Sequence, residues 1–258
     1  MRFSLITVTM GDRPEELRRL IESLSRQSFR DFEHLVIDQR EHPEFGNSLS
    51  RARNFGLERA TGDVIAFPDD DAWYAPDVLQ VVLEALADPG VDGVSFRVTN
   101  GRGVCSAGGW MSAGRMTMSH ANIWRTAVSC SFFVRRSAVG AIRFDSRLGA
   151  GAGTRFGSGE ETDFLLQLIE AGARLLYDGR EKVFHPLFSG RYTMRRGWLY
   201  GNGCGRTLRR HGFTPVRLLW MAGLQFSRSV QAVASLKPRK ALFHLAMFAG
   251  RLMGYVLP

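Results

Sequence analysis

Three consecutive carboxylates, Asp69, Asp70 and Asp71, follow directly after the apolar run at residues 64–68. An apolar run that ends in charge is typical of a buried parallel strand, and α/β sheets bind their ligands at the carboxyl ends of such strands. Clustered carboxylates offer the hard oxygen ligands that Mg²⁺ and Mn²⁺ prefer, often together with a substrate phosphate. The cluster therefore predicts a divalent cation at a sheet edge, although aspartates are also common in solvated turns.

The elements that would position this cluster alternate between strand and helix. Strand-like runs at residues 4–9, 32–37 and 64–67 are separated by helical patterns, one beginning near Asp12 and one at residues 47–60. Each helical segment is long enough to connect parallel neighbours, and such crossovers are right-handed. The alternation predicts an α/β fold with a mostly parallel central sheet flanked by helices.

The chain between residues 76 and 171 is less regular. Its patterned segments are a helix at 76–87, a strand at 91–98, a strand at 127–134, a Gly-rich loop at 149–159 and a helix at 160–171. Residues 100–125 are rich in Gly, Ser and Met, include Trp110 and Trp124, and show no period. A long irregular stretch inside a domain is usually a functional loop or a disordered one.

The composition is that of a globular protein in a reducing compartment. The 258 residues are 45% hydrophobic and 23% charged, which suits one α/β domain with an appendage or two domains. Cys105, Cys130 and Cys204 are widely spaced and form no CxxC pair, so neither a zinc site nor a disulfide framework is indicated. The first eight residues are strand-like and lack the features of a signal peptide. We therefore expect a cytoplasmic protein.

The positive charge is concentrated in the tail. Of the 34 Lys and Arg residues, 12 lie in residues 191–258, which contain no Asp or Glu. The tail also has apolar stretches at 218–221 and 241–248, a composition typical of helices that lie in a membrane interface. No stretch reaches the ~18 uninterrupted apolar residues of a spanning helix. We expect residues 191–258 to form a basic amphipathic helical extension, peripheral on the anionic inner face of the cell membrane. A helical subdomain packed on the core would show the same pattern.

Two other motifs lack the spacing or the sequence context that their usual functions require. The glycines between residues 149 and 159 lack the GxGxxG spacing of a dinucleotide-binding loop and do not follow a first strand. They suit a flexible loop that leads into Glu160 and Glu161 at the start of a helix, where the helix dipole favours ionised carboxylates. The Asp cluster also lacks the context of haloacid-dehalogenase-like phosphatases, because it follows the third strand and has Trp73 where that motif has Thr or Val.

Three separated segments together resemble the family 2 glycosyltransferases. They are SLITVTMGDRPEELRRLIESLSRQSFRDFEHLVID at residues 4–38, RARNFGLERATGDVIAFPDDDAWYAPDVL at 51–79 and FDSRLGAGAGTRFGSGEETDFLLQLIEAGARLLY at 144–177. The resemblance covers most of residues 3–190 and does not identify the sugar. It implies a GT-A fold at residues 1–190, a nucleoside-diphosphate sugar as donor, and Mn²⁺ or Mg²⁺ bridging the Asp motif to the diphosphate.

The resemblance also implies roles for individual residues. Positions that bind the nucleotide-sugar donor are matched by Thr7, Thr9, Asp38, Arg53, Asn54, Asp69 and Asp70. The metal-binding DxD motif is matched by Asp69 and Asp71, and His185 in the segment VFHP matches a histidine that completes the metal site. A guanidinium at Arg53 would neutralise donor phosphates. The identity of the nucleotide base stays open.

The general base is implied less sharply than the metal site. Glu161 falls where relatives have this carboxylate, in a segment more often written Glu-Asp; this chain has Glu160-Glu161, so the base is Glu161, Glu160 or Asp163. The implied reaction is a direct displacement with inversion, in which the base takes the proton of an attacking acceptor hydroxyl. The metal would stabilise charge on the leaving nucleoside diphosphate.

These features lead to one main hypothesis and two alternatives. The main hypothesis is a hexosyltransferase-like enzyme of polysaccharide biosynthesis that acts on a lipid-linked or polysaccharide acceptor at a membrane surface. A nucleic-acid-binding protein would explain the net charge of +9, but the tail lacks the signatures of common RNA- or DNA-binding modules. An inactive sugar-nucleotide-binding relative is disfavoured, because every carboxylate that the chemistry needs is present.

Overall fold

The computed structural model describes residues 1–106, 113–187 and 192–257. Within these ranges eight strands form one sheet: β1 Phe3–Thr9, β2 Phe32–Asp38, β3 Val64–Ala66, β4 Trp73–Tyr74, β5 Gly93–Thr99, β6 Arg115–Thr117, β7 Phe132–Arg135 and β8 Leu175–Phe184. The helices are α1 Pro14–Ser25, α2 Leu49–Arg59, α3 Val78–Ala85, α4 Ile123–Thr126, α5 Arg136–Val139, α6 Glu160–Glu170, α7 Met194–Arg210, α8 Pro215–Ala234 and α9 Pro238–Val256. The strands and helices predicted up to residue 67 are confirmed to within two residues at each end.

The sheet has the strand order β2-β1-β3-β7-β5-β8-β4, with β6 paired to β8. β1 is parallel to both of its neighbours, and β5 is parallel to β8. β7 runs antiparallel between β3 and β5, and β4 and β6 run antiparallel to β8. Five of the eight strands therefore point in one direction, and the predicted mostly parallel α/β sheet is confirmed. The reversal at β7 is not predicted, because an apolar run carries no information on strand direction.

The core explains why the apolar run before the Asp cluster is continuous. β3 lies inside the sheet and is entirely buried, so both of its faces must be apolar. The ring centroid of Phe67, just after the strand, lies 5.6 Å from that of Phe132 and 5.8 Å from that of Phe164. This aromatic packing fixes the point at which the chain leaves the sheet and the carboxylates begin.

The chain divides into two compact units. The first contains Met1–Phe45, Arg51–Arg143 and the described residues of Phe164–Ser189. The second contains Gly46–Ser50, Phe144–Asp163 and the described residues of Gly190–Pro258. The second unit thus includes the Gly-rich loop as well as the tail. The domain boundary predicted at residue 190 separates only the tail, residues 191–258, from the rest of the chain.

The irregular stretch predicted at residues 100–125 contains short elements. β6 lies within it, and α4 begins within it and ends at Thr126. Residues 107–112, with Trp110, lie outside the described residues, so the predicted loop is described only in part.

The tail folds into α7, α8 and α9, with α7 and α9 in close contact. A Cβ atom on Gly197, Gly201 or Gly205 of α7 would lie 2.2–2.5 Å from carbonyl oxygens of α9. Only glycine permits backbones to approach so closely. Among the described residues, no helix is long and apolar enough to cross a membrane.

Candidate active site

The Asp cluster lies at a sheet edge to which three other strands contribute. β1 and β3 are parallel neighbours, so the loops that follow them leave the sheet at the same edge. Trp73 of β4 pairs with Phe184 of β8, and this pairing brings the chain after Asp71 beside His185. Residues that are far apart in the sequence thus meet at the carboxyl end of β3.

Asp69 is held by two side chains from other elements. Arg53 on α2 is buried, and its Nη2 lies 3.1 Å from Oδ1 of Asp69. The hydroxyl of Ser129 donates to Oδ2 of the same carboxylate at 3.0 Å. The predicted Arg53 therefore reaches the Asp motif directly, and charge-assisted hydrogen bonds of this kind are strong.

Asp70 connects the loop after β3 to the loop after β1. Its Oδ2 accepts a hydrogen bond from the Thr9 hydroxyl at 2.9 Å, and its Oδ1 lies 3.3 Å from Nη1 of Arg13. The same Thr9 hydroxyl accepts from the backbone N–H of Gly11 at 3.0 Å. Burial raises the pKa of Asp70, and the hydrogen bond from Thr9 and the charge of Arg13 oppose that rise.

Asp71 faces two cationic side chains. His185 Nε2 lies 3.0 Å from Oδ1, and Arg13 Nη1 lies 2.7 Å from Oδ2. Burial alone would raise the pKa of Asp71, but the hydrogen bond and charge of His185 and the charge of Arg13 outweigh it and lower the pKa. The backbone carbonyl of Asp71 also accepts from Arg19 at 2.7 Å, and this guanidinium lies over the Trp73 ring at 4.0 Å.

His185 is oriented by its second ring nitrogen. Nδ1 lies 2.8 Å from the backbone oxygen of Pro186, which can only accept, so Nδ1 donates and Nε2 is the atom directed at Asp71. Burial would lower the pKa of His185, but the hydrogen bond with Asp71 and the charges of Asp69 and Asp71 raise it to about 9. A backbone acceptor on one ring nitrogen is the usual outer-shell arrangement of metal-binding histidines.

The donor set fits a divalent cation with two protein ligands. A carboxylate oxygen of Asp71 and Nε2 of His185 face each other, and both are suitable ligands for Mn²⁺. Within the described residues, no three His, Cys, Asp or Glu side chains converge as a metal-binding group. Asp69, the third predicted ligand, is engaged by Arg53 and Ser129 instead. Few protein ligands are normal where substrate phosphates complete the coordination.

The residues predicted to bind the nucleoside lie at the ends of β1 and β2. Thr7 is buried, and its hydroxyl lies 3.0 Å from Nε2 of His34. The Asp38 carboxylate caps the turn that follows β2 and pairs with the Arg40 guanidinium, Oδ2 to Nη2 2.5 Å, which lowers the pKa of Asp38. Asn54 is half-buried on α2. Thr7 and Asp38 are therefore engaged by neighbouring side chains.

Two of the three candidate bases belong to the interior of the second unit. Asp163 is fully buried; His211 Nε2 lies 2.9 Å and Arg210 Nη1 lies 3.1 Å from its Oδ1. Glu160 is also buried, and a Cβ atom on Gly149 would lie 2.8 Å from its carboxyl carbon. Asp163 has the surroundings of a structural ion pair rather than of a group that exchanges protons with substrate.

Glu161 differs from both. Its side chain is half-buried in the first turn of α6, and it makes no hydrogen bond or ion pair within the described residues. An ionised carboxylate in this turn interacts favourably with the helix dipole. Of the three alternatives, only Glu161 combines partial exposure with an unengaged carboxylate.

Comparison with known proteins identifies the family. The sequence model of the family described as Glycosyl transferase family 2 matches residues 41–140. These residues contain Arg53 and the whole Asp cluster. Residues 41–140 thus match glycosyltransferase family 2. The predicted family and the predicted enzyme class are confirmed.

Named relatives align over most of the length of this chain. It is 29% identical over 231 residues to the succinoglycan biosynthesis protein ExoM of Rhizobium meliloti, covering 84% of this chain and 70% of that one. It is 27% identical over 230 residues to the pre-mycofactocin glycosyltransferase of Mycobacterium tuberculosis, again covering 84% of this chain. The enzyme spans about half the length of the latter protein, 47%.

Solved structures confirm the predicted GT-A fold. The mannosyltransferase PcManGT from Pyrobaculum calidifontis, in complex with GDP-Man and Mn²⁺, matches with a TM-score of 0.60 at 16% identity, covering 97% of this chain and 87% of that one. S. aureus TarS 1–349 in complex with UDP-GlcNAc matches with a TM-score of 0.56 at 16% identity, covering 99% and 90%.

Several partners of the Asp cluster were not predicted from the sequence. Arg13 directly precedes α1, Arg19 lies in the middle of α1, and Ser129 lies in a short turn before β7. Arg13 was within reach of sequence reasoning, because it follows a strand that ends at the same sheet edge as the cluster. Ser129 gave no signal, since its position depends on the antiparallel direction of β7, which an apolar run does not predict.

Proposed function

We propose that this enzyme is an inverting, metal-dependent glycosyltransferase. It moves a sugar from a nucleoside-diphosphate sugar to a hydroxyl group of a lipid-linked or polysaccharide acceptor. The observation that carries the proposal is the Asp71–His185 pair at the carboxyl end of β3, with Nδ1 of His185 bonded to a backbone oxygen.

Asp71 and His185 would hold the metal, and Asp69 would remain with Arg53. A bound Mn²⁺ or Mg²⁺ would stabilise negative charge on the departing nucleoside diphosphate. The fit rests on the chemistry of the two facing ligands and on their small number. PcManGT, which has the same fold, was solved with GDP-Man and Mn²⁺.

Donor binding would use side chains that now pair with carboxylates. Arg13 is half-exposed beside Asp70 and Asp71, and its five N–H donors suit a diphosphate. Arg53 is buried and fixed by Asp69, so it would contribute positive charge with little reorganisation. Thr7, Thr9, Asp38 and Asn54 would line the nucleoside end of this region, by family resemblance.

We assign the general base to Glu161. Its carboxylate is the unengaged one of the three candidates, and a base must be able to approach an acceptor hydroxyl within hydrogen-bonding distance. Proton removal by Glu161 as the hydroxyl attacks the anomeric carbon gives inversion in one step, with no covalent intermediate. Asp163 would instead keep the first turn of α6 in place through His211 and Arg210.

The relatives and the charge distribution support the proposed acceptor class. ExoM is named for succinoglycan biosynthesis, which supports a growing polysaccharide as acceptor. The tail, with 12 basic and no acidic residues, supports work on the cytoplasmic face of the cell membrane, where lipid-linked acceptors are anchored.

Calorimetry on Asp71→Asn tests the metal assignment. The wild-type enzyme should bind UDP or GDP in the presence of Mn²⁺ and lose that affinity in EDTA. The variant should lack the Mn²⁺-dependent part, because a neutral amide cannot replace the carboxylate ligand. Asp31→Asn, which removes an exposed carboxylate elsewhere on the first unit, should behave like the wild type. Unchanged Mn²⁺-dependent affinity in Asp71→Asn would refute the assignment.

A further inference from the structure

α8 and α9 form a hairpin whose outward side is apolar. No exposed position of α8 carries a charged residue. The large apolar side chains exposed along α8 and in the turn after it include Leu219, Trp220, Phe226, Val230, Val233 and Leu236, with exposed fractions of 47–90%. We call these six residues the hairpin face. Leu242 and Leu245 of α9 are exposed as well.

The buried side of the hairpin includes four polar residues among its apolar ones. Gln225 and Ser229 of α8 and His244 and Arg251 of α9 are all buried. His244 Nδ1 lies 2.8 Å from the side-chain amide of Gln225, Ser229 donates to a backbone oxygen of α9 at 2.9 Å, and Arg251 donates to a backbone oxygen of α8. A helix that faces water usually carries its polar residues on the exposed side and its large apolar residues on the buried side. Polar groups turned inward and apolar groups turned outward are typical of proteins in contact with lipid.

The turn between the helices contains a second anomaly. Leu236 has a φ of 54°, and it is the only non-glycine residue with positive φ in the part of the chain that the structure describes. The backbone N–H groups of Leu236 and Lys237 donate to the oxygens of Val233 and Ala232, which is the Schellman pattern. Glycine normally occupies this left-handed position because a Cβ atom is unfavourable there. Here the position carries a leucine that is 90% exposed, so neither backbone conformation nor contact with the protein accounts for its side chain.

We propose that the hairpin face docks on a membrane of anionic phospholipid, with Leu236 at the inserted turn. Lys237, Arg239 and Lys240 lie beside the turn, where they would meet lipid phosphates. The Arg217 guanidinium lies over the Trp220 ring at 4.7 Å, a pair suited to the boundary between headgroups and acyl chains.

Charge selects a membrane over a second copy of this chain. Residues 191–258 contain no Asp or Glu, so two hairpin faces in contact would bring many cations together without a carboxylate between them. An anionic bilayer supplies both the apolar layer and the compensating negative charge. The surface would deliver the enzyme to the lipid-linked acceptor; this last step rests on the proposed function.

Vesicle co-sedimentation of the full chain tests the proposal. The wild type should sediment with vesicles containing phosphatidylglycerol at low salt and far less with pure phosphatidylcholine. Leu236→Gly should weaken this binding about tenfold, the usual effect of losing one buried leucine side chain, while its melting temperature stays equal or rises because glycine suits the turn. Val104→Ser, which changes a similarly exposed apolar residue on the first unit, should bind as the wild type does.

Three results would overturn the docking surface. They are a wild type that ignores anionic vesicles at low salt, full binding by Leu236→Gly, or a dimer in solution that Phe226→Ser converts to monomer. Mn²⁺-dependent UDP or GDP binding, measured on the same preparations, separates this failure from failure of the proposed function. A wild type that binds nucleotide with Mn²⁺ but ignores anionic vesicles refutes the surface alone.

Discussion

Asp71 accepts from His185 on one carboxylate oxygen and from Arg13 on the other. A divalent cation at Asp71 can use His185 as a second ligand. The Arg13 guanidinium has only N–H donors, so it can only compete with that cation for the Asp71 carboxylate. We expect Arg13→Gln to bind Mn²⁺ about threefold more tightly without nucleotide, because a half-exposed ion pair contributes at most ~1 kcal/mol. Titration of Mn²⁺ followed by electron paramagnetic resonance measures this. Weaker Mn²⁺ binding in the variant would show that Arg13 supports the site.

Glu161 and Asp163 should fail in different ways. We expect Glu161→Gln to bind donor normally and to lose about a hundredfold in turnover, since general-base catalysis typically contributes 10²–10⁴-fold. Asp163→Asn should instead lower the free energy of unfolding by ~3 kcal/mol, because it leaves His211 and Arg210 beside a neutral group in a buried site. Steady-state kinetics and urea unfolding of both variants distinguish these effects. Near-normal turnover by Glu161→Gln would reassign the base.

The residue types of the site could be predicted from the sequence, but their partners could not. The Asp cluster ends a buried strand, and this local pattern is readable without a structure. The contact between Asp71 and His185 depends on the two-residue strand β4 pairing with β8, more than a hundred positions away. Glu161 is preferred over Asp163 because Asp163 is buried beside Arg210 and His211 at the end of α7. No pattern in the sequence around α6 predicts that burial.

At the scale of elements, the contact of α7 with α9 depends on glycine. A Cβ atom on Gly201 would lie 2.5 Å from the oxygen of Met247, whereas one on Gly223 of α8 would meet nothing within 4 Å. We expect Gly201→Ala to destabilise the protein by ~1–3 kcal/mol through overpacking. Gly223→Ala should stabilise it by up to ~1 kcal/mol, because alanine favours helix. Urea unfolding followed by circular dichroism measures both. Equal effects would mean that the helices can separate at no cost.

The helices of the tail were predictable from apolar spacing, and their arrangement was not. Amphipathic helices appear the same in sequence whether the apolar side faces a core or a membrane. The structure buries several polar residues of α8 and α9 and leaves large apolar ones exposed, and this burial, which the sequence period does not report, supports the docking proposal. Deleting α9 would also expose Gly197, Gly201 and Gly205 of α7, which lie against α9. Single substitutions in the hairpin face therefore test docking more directly than a deletion does.

At the scale of the whole molecule, stability should depend on pH through His34. Burial lowers the pKa of His34 from 6.5 to about 4. Because the folded pKa lies below the unfolded one, the stabilisation is complete above pH 6.5 and is lost as pH falls towards 4. Between about pH 7.5 and pH 5, the wild type should lose ~2 kcal/mol more unfolding free energy than His34→Gln. Denaturant unfolding at both pH values measures the difference; parallel losses would show that His34 is protonated in the folded state.

The central proposal for the whole molecule is that this chain is a metal-dependent glycosyltransferase. The most direct test is turnover of a panel of UDP- and GDP-sugars by the full chain, with Mn²⁺ or with EDTA, and with Glu161→Gln in parallel. We predict slow hydrolysis or transfer of one donor in Mn²⁺, none in EDTA, and a rate about a hundredfold lower for Glu161→Gln. Turnover that persists in EDTA, or no turnover of any donor, would contradict the account.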